Sequence, residues 1–471
     1  MVSLPDAPPW APYRPAADGP RDEAFNADGT WRAHVATALR DVGVADLEGV
    51  MAELADGSRR AGLSFPIDGG TELFHVDPIP RVVTAAEWET IAAGVAQRAR
   101  ALDAFVADVH GPRRAVAEGV VPERLIATAE HHEPAARALP PPAGVWVAMA
   151  GLDLVQGADG AFAVLEDNAR TPSGIAYMLA ARALVQAVLG LDAVPARPLD
   201  DTIPRLKATL AAAAPPGRAT DTINLVVLTD GPGSAAYWEH RTLAVHFDAP
   251  LVTSSDLTLD ARDRLVLRDA PQRPIDVIYR RTDSSSLHHK AHLGLDRALR
   301  AGTVGVVNAF GTGVADDKLT HAYLEDLIRF HLGEEPVLRS VPTFDLANPD
   351  HLQEALDRLE ELVVKPRGGA GGHGVVICPH AEPDVIAATR AAIEAAPGAY
   401  VAQELVALST HPTVVDGKLQ PRHVDLRPFA LLTPETTHVL PGALSRVALK
   451  EGSIVVNSSQ DGGAKDTWVL P

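Results

Sequence analysis

The stretch that most limits how this chain can fold is Gly151–Gly174, GLDLVQGADGAFAVLEDNARTPSG, where two apolar runs flank a turn dipeptide. Leu152 to Val155 and Phe162 to Asn168 read as antiparallel strands, and Asp159-Gly160 reads as a two-residue type I′ turn between them. With that dipeptide at the tip, Asp153 falls opposite Glu166. Cross-strand partners share a face, as do residues two apart on one strand, so Asp153, Glu166 and Asn168 converge while Asp167 points away. Two carboxylates about 5 Å apart repel by roughly 3 kcal/mol at an effective dielectric of about 20. A cation between them removes that cost, and hard oxygen donors suit Mg²⁺. An exposed hairpin carrying two solvated acids is the alternative these residues leave open.

Other segments offer groups that suit a phosphate. Arg170, two residues past Asn168, is placed for a phosphate or a developing negative charge, or else it flanks a helix at the surface. Ser173 can cap a helix running from Gly174 to about Leu189. Lys365, in the apolar strand LVVKP, is costly there unless it meets an anion. Next comes RGGAGGHG, in which Gly369-x-Gly371-x-x-Gly374 matches the dinucleotide-binding pattern. That pattern requires a following helix, whereas Val375-Val376-Ile377 reads as a strand. Gly369, Gly371, Gly372 and Gly374 therefore read as a flexible flap whose backbone N–H groups can close over phosphates. From Thr222 strands and helices alternate, and Val277-Ile278-Tyr279 delivers Arg280, Arg281 and Asp283 at a strand's C-terminal end, where α/β sheets bind ligands.

Thr84-x-x-Glu87 forms a capping box for a scaffold helix ending at Gly111-Pro112, and residues 69–80 before it read as an irregular approach. Residues 1–22 read as a loose arm and 211–218 as a linker. Glu72, His75 and Asp77 are loop residues of no assigned role, and His131-His132-Glu133 lacks a second spaced ligand pair for zinc. A formal net charge of −19 argues against a nucleic-acid or anionic-membrane surface. Cys378 is the only cysteine, so no intrachain disulfide forms. The start, MVSLPDAPPW, lacks a basic stretch followed by an apolar core, and the cytoplasm is the expected location.

Asp153, then Glu166-x-Asn168, then Pro172-Ser173-Gly174, resembles the magnesium site of ATP-grasp enzymes such as D-alanine–D-alanine ligase and glutathione synthetase. There the site comes last in the chain; here it comes before the nucleotide-binding half. From about Pro78 to its C-terminus the chain is similar to the circularly permuted type 2 ATP-grasp family, whose members have been labelled glutathionylspermidine synthase-like. The resemblance implies an α/β fold with an N-terminal arm and helical extension (1–77). It implies a permuted part of the C-terminal grasp subdomain (78–218), a pre-grasp α/β subdomain (219–340), a nucleotide-binding lid (341–415) and the remainder of the grasp (416–471).

It also implies ATP and Mg²⁺ (or Mn²⁺), with the metal on Asp153, Glu166 and Asn168 and the phosphates on Lys318 and Lys365. YVAQELV, residues 400–406, resembles the hinge strand that holds adenine, with Gln403 beside the nucleotide and Glu404 at the ribose or base. Arg427 or Arg446, with Arg170, would face the transferring group, and Arg280 or Arg281, with Asp283, would clamp a carboxylate. Gly442-Ala443-Leu444-Ser445-Arg446 and Gln460-Asp461-Gly462-Gly463 depart mildly from the family's wording. The implied reaction is ligation of a small-molecule acid to an amine through an acyl phosphate. Phosphotransfer to another acceptor, or nucleotide binding without turnover, are the alternatives.

Overall fold

The computed structural model describes residues 13, 15, 19–40, 42, 46–67, 70–218, 222–282, 293–369, 373–454, 456 and 462–471. Asp283, Gly371, Gly372, Gln460 and Asp461 lie outside the described residues.

An eight-stranded sheet organises the molecule. Its strand order is Arg339–Ser340, Phe162–Asn168, Met149–Gln156, Lys418–Leu432, Thr437–Ala448, Gly462–Val469 and His75–Val83, with Thr410–Val415 hydrogen-bonded to Lys418–Leu432. The Met149–Gln156 strand thus lies against a strand nearly 270 residues later (Leu154 opposite Leu426), and the two ends of the chain meet where Gly463 pairs with His75. The later part of the stretch expected to be irregular, residues 75–80, instead belongs to the edge strand His75–Val83, because Gly462–Val469 offers it a parallel ladder. Asp77 there is buried and ion-paired with Lys465, and its carboxylate also accepts the Val414 N–H at 2.7 Å, so it ties the two chain ends together. The arm is docked at its end: Glu23 makes a two-pronged bond to buried Arg81 at 2.6 and 2.7 Å.

Each face of this sheet carries its own apolar core. One face packs Leu152, Leu154, Val164, Leu426 and Ala430 against Trp88, Val95, Leu102 and Phe105 of the helix Ala85–His110. That helix starts at the expected Thr84/Glu87 capping box and is long because its apolar positions recur at helical spacing without a break. The other face packs Met149, Phe429, Leu431 and Leu444 against Ile175, Tyr177 and Met178 of the helix Ile175–Val188.

A second, four-stranded sheet is parallel, in the order Gly305–Val307, Val277–Arg281, Leu225–Thr229, Leu251–Val252. The preceding helix, Thr202–Ala212, runs into the segment expected to be a linker. A third sheet is antiparallel, in the order Thr343–Asp345, Tyr400–Glu404, Leu362–Pro366, Val376–Ile377, so the glycine loop joins two paired strands, as expected. No helix among the described residues is long and apolar enough to cross a membrane.

Candidate active site

The hairpin pairs Asp153 with Glu166, and it does so by a different route from simple alternation. The tip is a three-residue loop, 158–160, closed by a Gly157 N–H bond to Ala161 O at 3.0 Å, with Gly160 in the left-handed region at φ +82°. A two-residue type I′ turn needs positive φ at Asp159 as well, and Asp159 does not have it. The shorter register puts Leu154 opposite Val164, and a β-bulge at Leu165 then restores Asp153 opposite Glu166. The bulge has a chemical consequence. Val164 faces the core under the Ala85–His110 helix, and the extra residue turns Leu165, Glu166 and Asn168 into a cavity on the other face.

That cavity, about 500 Å³, lies between the large sheet and the small antiparallel sheet. The large sheet contributes Asp153, Glu166, Asn168, Asp425, Arg427 and Arg446, the small one Lys365, Gln403 and Glu404, and the glycine loop Gly369. Lys318 enters from the N-terminus of the helix Lys318–Leu332, and Arg170 from the segment after the hairpin. These elements are held in register by Asp317. Its carboxylate caps that helix through the Leu319 N–H at 2.9 Å and takes two bonds at 3.0 Å from Arg367, the first residue of the glycine loop.

The charges on the large sheet are largely paired with each other. Arg427 grips Asp153 with two bonds, at 2.5 and 2.7 Å, and Arg446 reaches the same carboxylate at 2.8 Å while also bonding buried Asp425. Burial alone would raise the Asp153 pKa. The Arg427 and Arg446 guanidinium groups outweigh it and hold the carboxyl below the usual range. At Asp425 burial prevails over Arg446 and pushes the carboxyl up. Glu166 sits 3.2 Å from the Lys318 ammonium, which also bonds Gly369 O in the glycine loop. Arg170 is braced by Asp316, whose carboxylate accepts the Ala169 and Arg170 N–H groups at 2.6 and 2.9 Å. The Asn168 amide nitrogen is buried and has no hydrogen-bond partner among the described residues.

Lys365 stands apart. Its ammonium meets the Gln403 amide oxygen at 2.5 Å, and burial lowers its pKa to about 8, with Glu166 pulling up and Lys318 pushing down. Gln403 also donates to Thr343 Oγ1 at 2.9 Å, which orients that oxygen toward the lysine. Glu404 lines the cavity but takes two bonds from Arg358, at 2.9 and 3.0 Å. Gly374 turns back toward its own strand at φ +73°, where a Cβ would meet Pro366 Cγ at 2.9 Å.

Arg280 and Arg281 are not among the residues lining the cavity. The Arg280 guanidinium lies buried over the Phe310 ring, 4.7 Å from its centroid, and donates to Asn308 O and Ala309 O. Arg281 donates to Pro172 O at 2.8 Å and to the Ser173 hydroxyl, and lies 3.6 Å from Glu239. Adjacent on one strand, the two side chains leave opposite faces of the parallel sheet, and both are buried, with donors spent on backbone carbonyls and, for Arg281, also on the Ser173 hydroxyl beside Glu239. With its hydroxyl held by Arg281, Ser173 does not cap the helix at 175. Glu239 does so from another element, accepting the Gly174 and Ala176 N–H groups at 2.9 Å each. Nothing near residue 239 in the sequence signals this. Asp316, by contrast, is visible beside Asp317-Lys318, and Asp425 beside Arg427.

Residues 80–448 match the model of a family described as circularly permuted ATP-grasp type 2. The chain is 45% identical over 411 residues to a protein of Frankia casuarinae provisionally named glutamate–cysteine ligase 2-2, covering 85% of this chain and 47% of that one. It is 40% identical over 463 residues to an uncharacterized protein of Mycobacterium tuberculosis, covering 95% and 84% respectively. The chain thus spans about half the length of the Frankia relatives it matches. Among solved structures, a glutathione synthetase-like effector from Globodera pallida, without ligand, superposes at a TM-score of 0.59 with 14% identity, over 91% of this chain and 98% of that one. The fold is shared at that identity.

Proposed function

The chain belongs to the circularly permuted ATP-grasp type 2 family, and from that premise we propose that it is an ATP-dependent carboxylate–amine ligase. The observation that carries this reading is the convergence of Lys318, Lys365, Asp153, Glu166, Arg427 and Arg446 on one cavity from the large sheet, the small antiparallel sheet and the helix Lys318–Leu332. Phosphoryl transfer needs alignment and charge neutralisation more than covalent help. Lys365 and Lys318 bind the nucleotide phosphates, and the glycine loop bonded to Lys318 covers them. Apolar Val363, Leu165 and Ile377 around Gln403 and Glu404 suit the base. Arg427, Arg446 and Arg170 stabilise charge on the γ-phosphoryl group as a substrate carboxylate oxygen attacks phosphorus and ADP leaves. A neutral amine then attacks the acyl carbon, phosphate departs, and the nitrogen sheds its proton, leaving an amide.

The donor set fits a divalent cation. Asp153, Glu166 and Asn168 line one cavity face and offer two carboxylates and an amide oxygen, the hard oxygen donors such a cation takes. When bound there, Mg²⁺ or Mn²⁺ would neutralise charge on the β- and γ-phosphates. For Asp153 this means exchanging guanidinium contacts for a metal, which frees Arg427 and Arg446 to turn to the transferring group. Arg281, in place of a direct clamp, braces the Pro172–Gly174 turn at the cavity's edge.

Release of ADP and phosphate should require both an acid and an amine, and hydroxylamine in place of the amine should trap a hydroxamate. Pools of amino acids, polyamines and small peptides with ATP serve as the screen. A stable phosphorylated product with no hydroxamate in any pool would overturn the ligase in favour of a phosphotransferase.

A further inference from the structure

One end of the cavity is walled by Phe65, Phe74, Pro172, Tyr177, Ala236 and Leu444, none of which carries a charge. This end adjoins the proposed reaction centre: Arg427, which holds Asp153, also donates to Ser173 O at 3.1 Å, and Tyr177 lies three residues past Gly174. Phe65 and Tyr177 are stacked, centroids 5.0 Å apart with 21° between planes, while Phe74 lies 4.9 Å from Tyr177. The nearest charges behind this wall, Glu239 and Arg281, are spent on the helix N-terminus and the Pro172–Ser173 turn. Rings stacked on one another use their electron-rich faces mutually, so they form no cage for an ammonium. The Tyr177 hydroxyl does not break this apolar wall: the oxygen is shielded from the cavity, and among the described residues it has no hydrogen-bond partner. Phe65 and Phe74 precede the residues matched by the family model, so the N-terminal extension supplies part of this wall.

Resting on the ligase reading, we infer that one of the two substrates carries an apolar, ring-sized group that this end of the cavity receives. Such a group differs from the charged side chain of glutamate. The extension thereby sets specificity, and the sheet and loop described above set the chemistry.

The test uses the full chain with Mg²⁺ and a non-hydrolysable ATP analogue. Calorimetric binding of 3-phenylpropionate is compared with glutarate, and of phenethylamine with putrescine. One phenyl probe should bind on the order of tenfold or more tightly than its charged counterpart. Phe65→Ala should abolish that preference without changing affinity for the ATP analogue, and Phe65→Leu, which keeps bulk, should retain part of it. Equal or tighter binding of both charged probes, or a preference untouched in both Phe65 variants, overturns the inference. The two readings fail separately. A phenyl preference without any hydroxamate sinks the ligase and leaves the pocket, whereas hydroxamate from glutamate with both phenyl probes ignored sinks the pocket and leaves the ligase.

Discussion

Glu166 and Asp167 are neighbours on one strand, yet they serve opposite faces of the large sheet. Asp167 points under the Ala85–His110 helix, where Arg98 gives it two bonds at 2.9 and 2.7 Å and His321 Nδ1 lies 2.6 Å away. Burial would raise its pKa, but Arg98 and then His321 outweigh it and hold the carboxyl well below the ordinary range. Every partner there is itself buried and fixed. On the cavity face Glu166 pairs with Lys318 alone among the described residues, and across from it Lys365 rests on a neutral amide. An acid locked among its own cations contributes to folding, while acids and cations left half-satisfied around a cavity are available to a ligand.

Mutations can break this contrast, and the largest effect belongs to the locked face. Asp167→Ala should destabilise the protein by about 3–5 kcal/mol, because Arg98 is left charged and unpaired in the core, read as a fall in denaturant midpoint. Since Asp167 has a depressed pKa, its contribution is present above the ordinary carboxylate range and is lost as pH falls through its folded value. On the cavity face Glu166→Gln should leave that midpoint nearly unchanged and lower metal-dependent ATP turnover on the order of 10²–10³-fold. Full activity in this variant would remove Glu166 from the chemistry.

Lys365→Ala should weaken ATP by roughly 10–100-fold, the worth of a charge-assisted hydrogen bond, without lowering the melting temperature of the ligand-free protein. A large loss of ligand-free stability with ATP affinity intact would instead make it a structural lysine like Lys465. The smallest effect is a fraction of a proton. Lys365 titrates at about 8 against 10.5 for a free lysine, so between those values the unfolded chain binds more protons, and its cost to stability fades as pH rises across that window. A bound phosphate restores the charge, so ATP binding should take up protons in the same window, measurable by calorimetry in buffers of different ionisation enthalpy. Lys365→Ala should abolish that uptake.

How much of this was legible in the sequence depends on whether local rules or distant partners decide. The capping box at Thr84, the Asp317-Lys318 helix start and the strand–glycine loop–strand unit are local and appear as read. The Asp153–Glu166 pair is also present, but a three-residue loop and a bulge at Leu165 cancel where a two-residue turn and plain alternation were expected. A bulge leaves almost no mark in composition, although it decides which face Glu166 occupies. Arg280 and Arg281 stand at a strand end as expected, yet whether such residues face a cavity depends on carbonyls at 172, 308 and 309 that only the folded chain brings near. Glu239 at the Gly174 helix terminus and the aromatic wall from Phe65 and Phe74 were hidden for the same reason.

The parallel ladder between His75–Val83 and Gly462–Val469 bears on how the protein is made. Asp77 and its partner Lys465 are 388 residues apart. At synthesis rates of about 5–20 residues per second, the edge strand waits roughly 20–80 s for its one neighbour in the sheet among the described residues. The eight-stranded sheet therefore closes late, after the parallel sheet and the glycine-loop sheet have had time to form from nearby segments. During that interval the His75–Val83 ladder is bare, and the nascent chain depends on chaperoning or on its own docked arm to keep that edge from pairing with another copy.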